Sequence, residues 1–169
     1  MGMGRQRGFT YLAVLFMIAL MGVMLVSIAT MWHTARQREK ERDLLFIGSQ
    51  FRQAIGSYYE KTPGALKKYP SSLEELLKDS RFVTVQRYLR RVYRDPMTGN
   101  SEWGLVKAPQ GGIMGVHSLS QDVPLKTGNF RAPDKSFEEK KKYSEWVFFY
   151  TPKLSGQSSP KPIQTVTPP

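Results

Sequence analysis

The chain has 169 residues, enough for one modest domain plus a separate N-terminal element. It has no cysteine, which excludes a disulfide frame and a thiolate metal site. With 25 Lys and Arg against 14 Asp and Glu it carries a formal charge of +11, a balance that suits phosphate or anionic lipid. The positive charge is scattered, however, and the interleaving of Arg36, Arg38, Lys40 and Arg42 with Glu39 and Glu41 favours salt links along a helix face over a nucleic-acid groove.

The first element is the most informative. Residues 9–32, FTYLAVLFMIALMGVMLVSIATMW, contain no charge. As a helix rising about 1.5 Å per residue they span roughly 36 Å. This exceeds a hydrocarbon core of about 30 Å and the apolar region of a cleavable secretory signal. Arg5 and Arg7 precede the run and hold the N-terminus in the cytoplasm by the positive-inside rule, so the bulk of the chain lies on the far side. Gly22 is the one helix-weakening residue inside it, which predicts a straight anchor.

Beyond Trp32, apolar residues recur at spacings of three and four: Leu44, Leu45, Ile47, Phe51, Ile55, Tyr58 and Tyr59. An amphipathic helix is expected over 33–61, ended by Thr62-Pro63-Gly64. Ser71 and Glu74 form a capping box that predicts a short helix to Asp79, with Leu73, Leu76 and Leu77 on its buried face. A second helix is expected over 82–95, placing Phe82, Val85, Leu89 and Val92 opposite Arg87, Arg90, Arg91 and Arg94. The turn formers at 95–100 introduce three strands, at 102–107, 112–118 and 144–151, in a small antiparallel sheet. Residues 126–142 mix charges of both signs and read as an exposed loop; 153–169, rich in Pro and Ser, read as a disordered tail.

Arg7-Gly8-Phe9-Thr10, behind a short basic leader and ahead of an unbroken apolar helix, resembles the leader of type IV pilins and type II secretion pseudopilins. The resemblance implies cleavage between Gly8 and Phe9 by a membrane-embedded prepilin peptidase and N-methylation of Phe9. Assembly would run through Phe9, Thr10 and the position of Ala13, where the family usually has a glutamate that pairs with a neighbour's amino terminus. In pseudopilins its loss is associated with a subunit at the filament tip. A second departure is Thr30, where many relatives have a helix-bending proline. The order of the segments over 69–118 resembles the head of the major-pseudopilin branch. That branch carries a calcium loop; calcium wants six to eight oxygen ligands, and SLSQDVPLKTGNF offers the single acid Asp122, so no cofactor is assigned.

The implied architecture is α+β and pilin-like. It comprises a leader at 1–8, a transmembrane helix at 9–32 and a spine helix at 33–61. A periplasmic head of short helices and an antiparallel sheet follows at 62–152, then the tail at 153–169. The implied partners are other pilins or pseudopilins, the peptidase, an inner-membrane assembly platform with its ATPase, and membrane lipid. The implied work is a structural role in a secretion or pilus-like filament of the bacterial inner membrane. The alternatives are a minor pilin that serves pilus assembly or DNA uptake, and an ordinary signal-anchored periplasmic protein. No P-loop, dinucleotide turn or nucleophile elbow is present, and His33 and His117 lack partner spacing, so catalysis is not expected.

Overall fold

The computed structural model describes residues 7–64 and 66–152; of 7–9 and 23–31 only the helical course of the backbone is described. The leader up to Gln6, the surroundings of Gly8, Phe9 and Thr30, and the tail at 153–169 lie outside the described residues.

Helix α1 spans Arg7–Glu60, 54 residues or about 80 Å. Its buried positions in the C-terminal half are Glu41, Leu44, Gly48, Phe51, Ile55 and Tyr58, alternating four and three apart, with Ala54 and Gly56 beside them. That period keeps one stripe of the helix on a partner surface throughout. The helix stops where expected: Thr62 Oγ1 donates to Tyr58 O at 3.0 Å, and Gly64 takes a φ of +85°, a left-handed turn that favours glycine.

The fold is α+β. Three antiparallel strands, β1 Gly104–Lys107, β2 Ile113–His117 and β3 Phe148–Phe149, lie in the order β1-β2-β3. Each is shorter than the sequence suggests. The β1–β2 turn needs two glycines, since Gly111 and Gly112 have φ of +90° and +82°. Strands β2 and β3 pack on α1, and the aromatic run of β3 finds its seats on glycines. A Cβ at Gly48 would clash with the Phe148 ring, and one at Gly56 would lie 2.7 Å from the Tyr150 ring. Around this seam the core contains Phe51, Trp103, Val116, Phe137, Tyr143, Trp146 and Phe148. Phe137 stacks on Trp146 with ring centroids 5.5 Å apart.

Three expectations are corrected. The helix expected from Ser71 to Asp79 is only a 3-10 turn, Leu73–Leu76. Glu75, not Glu74, accepts the Ser71 N–H at 3.0 Å, and Tyr58 Oη donates to the same Oε2 at 2.6 Å, so the capping carboxylate is held toward α1. The helix expected over 82–95 does not form. Val83, Thr84 and Val85 are stiff β-branched residues, and the backbone bonds run across the segment: Asp79 N–H to Gln86 O, Tyr88 and Leu89 N–H to Leu76 O. Finally, 126–142 is not simply an exposed loop. Phe130, Asp134 and Phe137 are buried, a 3-10 helix spans Ala132–Phe137, and Asp134 pairs with Arg52 at 2.8 Å.

Candidate functional site

From Thr10 to Gly22 every described side chain of α1 is exposed, including Tyr11, Leu12, Phe16, Met17, Ile18 and Met21. A helix that is apolar all round belongs in an apolar medium or among other apolar helices, since a patch of this size is rare on a monomer in water. Thr10 and Ala13 lie on this exposed stretch. Among the described residues no helix is long and apolar enough to cross a membrane. The described side chains of this run amount to about 20 Å of helix, and the run continues through 23–31, which lie outside them.

At the junction the expected salt links are absent. Among the described residues the ion pairs are Arg52–Asp134 and Arg81–Asp79, so Arg36, Arg38, Lys40 and Arg42 are exposed and unpaired. Of their two expected partners, Glu39 is exposed, and Glu41 is turned into the head and buried. Its Oε1 accepts the N–H groups of Leu125 and Lys126 at 2.6 and 3.0 Å and the Tyr143 hydroxyl at 2.9 Å. Gln37, one turn earlier, donates through Nε2 to Val123 O at 3.2 Å and to Tyr143 Oη at 3.1 Å. The two residues fasten the segment after β2 to the helix, Gln37 through neutral hydrogen bonds and Glu41 through charge-assisted ones. Burial, opposed by Gln37 and reinforced by Glu41, pushes the Tyr143 hydroxyl up to about 12. This latch was discoverable in the sequence: extending the four-three spacing back from Leu44 lands on Glu41 and Gln37.

Beside the latch, His33, Arg36, Gln37 and Lys40 of α1 face Met97 and Asp122 across a cleft of about 480 Å³. Asp122, the one acid of the stretch compared with the calcium loop, accepts from Ser120 Oγ at 3.0 Å. Asp95 is fully buried and is already satisfied by Met97 N–H, Thr98 Oγ1 and Ser118 Oγ. No group of three or more acids or histidines that could hold a metal ion occurs among the described residues. His117 lies over Gly104 in the sheet, its Nδ1 2.9 Å from Ser118 O, and is not brought near His33.

At the other end of the spine, Arg81 caps the helix. It lies 3.5 Å over the Tyr58 ring, pairs with Asp79 at 2.6 Å, and donates to Tyr58 O at 3.1 Å and Thr62 Oγ1 at 2.7 Å. A cation on the last carbonyls complements the negative end of the helix dipole. The Arg81 hydrogen bonds hold the Asp79 carboxyl below its usual range, burial opposing them. Arg87, Arg90, Arg91 and Arg94 remain exposed on the irregular segment that follows.

Comparison with protein-family models, curated proteins and solved structures finds no match to this chain.

Proposed function

We propose that the protein is a pilin-like structural subunit, a pseudopilin of a type II secretion or related filament, held in the inner membrane by the N-terminal half of α1 with its head in the periplasm. The observation that carries this reading is one continuous helix divided between two environments: an apolar, head-free half and a half fastened to a small α+β head. The Arg7-Gly8-Phe9-Thr10 motif adds to it, because a cut after Gly8 removes the basic leader and leaves the apolar helix whole. The work is polymerisation: apolar helices bundle in the filament interior, Thr10 and Ala13 among them, while heads pack outside. A separate ATPase platform supplies the force for extraction, since so apolar a helix does not leave lipid unaided. No catalytic role is proposed.

Intact-mass measurement of the chain isolated from membranes tests the reading. A mature chain beginning at an N-methylated Phe9 is expected; an uncut Met1, or a cut elsewhere, rejects it.

A second reading, a minor pilin for DNA uptake, is favoured by the four exposed arginines between 87 and 94. It expects a DNA mobility shift that weakens steeply with salt, and no shift at low salt would sink it.

A further inference from the structure

We propose that Arg36, Arg38, Lys40 and Arg42 form a collar that binds anionic phospholipid headgroups at the surface of the membrane entered by α1. The proposal rests on the membrane reading of the apolar half of the helix, and it concerns how the head sits on that membrane.

The collar is a product of the tertiary structure. In sequence its four cations alternate with Glu39 and Glu41 and are followed by Asp43, a nearly balanced series. Burial of Glu41 in the head removes one acid from solvent and leaves four exposed cations against the exposed Glu39 and Asp43. At 100° per residue, Arg36 and Lys40 flank the head-facing stripe on one side, and Arg38 and Arg42 flank it on the other. The cations therefore reach around both sides of the helix. Two cavities open onto them: Arg36 and Lys40 line the cleft with His33 and Asp122, and Arg42 lines a second of about 280 Å³ with Lys126, Arg131 and the exposed Phe46.

Position selects the occupant. The exposed Trp32 ends the apolar run, as an aromatic does at a membrane–water interface. Along the axis Arg36 stands about 6 Å beyond it and Arg42 about 15 Å. A headgroup layer is roughly 5–8 Å thick. Helical side chains lean toward the helix N-terminus, here toward the apolar end, and long Lys and Arg stems carry their charge back along the helix. The nearer cations consequently reach the phosphate level. A nucleic acid has no such reason to sit at the foot of the head.

The test uses the full chain, reconstituted into vesicles of equal phosphatidylglycerol and phosphatidylcholine, then recovered in mild detergent at low salt for analysis of the retained lipid. Phosphatidylglycerol is expected to be enriched several-fold, with the enrichment lost near 1 M salt, where screening acts within about 3 Å. The R36Q/R38Q/K40Q/R42Q variant should bring it back to near the input ratio. The charge-keeping R36K/R38K/R42K variant should retain it. Equal retention of the two lipids, or enrichment undiminished in the glutamine variant, overturns the collar while leaving the anchor intact. Insertion is read separately, by resistance to alkaline extraction: a chain that is extracted overturns the membrane reading and the collar with it.

Discussion

The two halves of α1 obey the same backbone geometry and differ in what surrounds them. A Cβ added at Gly22 would meet nothing beyond its own helix backbone within 4 Å, whereas one at Gly48 would run into the Phe148 ring. Leu15 and Ile18 face outward, whereas Leu44 and Phe51 are wholly buried by the head. Even charge behaves differently along the helix: Arg36 to Arg42 remain in solvent while Glu41, among them, is drawn inside. A single long helix can thus carry one stretch covered by its own head and another whose described apolar side chains the head leaves exposed. Damage to one half should leave the other largely intact, because distant sites act independently.

The largest effect is expected from Phe51→Ala, which removes a fully buried ring packed on Trp103 with centroids 5.1 Å apart. It should destabilise the head by about 3–5 kcal/mol in chemical denaturation, with membrane association unchanged. The counterpart in the other half is Ile18→Arg. It should disfavour insertion by about 3 kcal/mol, read by alkaline extraction, and leave head unfolding as it was. If either variant impairs both readouts equally, the two halves are not independent.

Glu41→Ala should cost the head about 2 kcal/mol, because two backbone N–H groups lose a charged acceptor. Its local signature is faster amide exchange at Leu125 and Lys126, which an undisturbed segment would not show. The glycine pair gives a sharper contrast. Gly22→Ala should favour the helix by about 1 kcal/mol, while Gly48→Ala should cost roughly 1–3 kcal/mol by forcing Phe148 off the spine. Two substitutions of the same sign would contradict the division.

The smallest effect expected is the pH dependence of the Arg81–Asp79 cap. The folded-state pKa of Asp79 is depressed, so its contribution is fully present above the unfolded carboxyl value near 4 and is lost as pH falls through the folded value. Asp79→Asn should flatten the stability profile in that acid window and lower stability by a constant amount above it, neutrality included. An unaltered acid limb would remove Asp79 from the cap.

Much of this architecture is legible in the sequence because it rests on local patterns. The apolar stripe of 44–59 and the Thr62-Pro63-Gly64 stop depend on helical period and turn chemistry, and the structure follows both to within a residue or two. The three strands are legible from aromatic and β-branched density, but their ends are not, since pairing partners set how far a strand extends. The irregular path of 80–95 and the buried Phe130 and Phe137 escaped local reading, because long-range contacts decided them. Of the candidate site, the Gly8-Phe9 motif and the apolar run are sequence features through and through. The latch is only half so: the spacing marks Glu41 and Gln37, but nothing nearby in the chain names Leu125, Lys126 and Tyr143 as their partners.

By itself, then, the sequence determined a long helix with an apolar first half, its stopping point, and an antiparallel sheet, because hydropathy, period and turn residues act over a few neighbours. Tertiary structure alone decided which charges are left for the outside. A carboxylate among four cations could pair along its helix, as local spacing suggests, or cap a segment more than 80 residues away. Glu41 does the second, where two backbone donors and a hydroxyl in a buried setting offer more than an exposed ion pair, whose worth in water is about 1 kcal/mol or less.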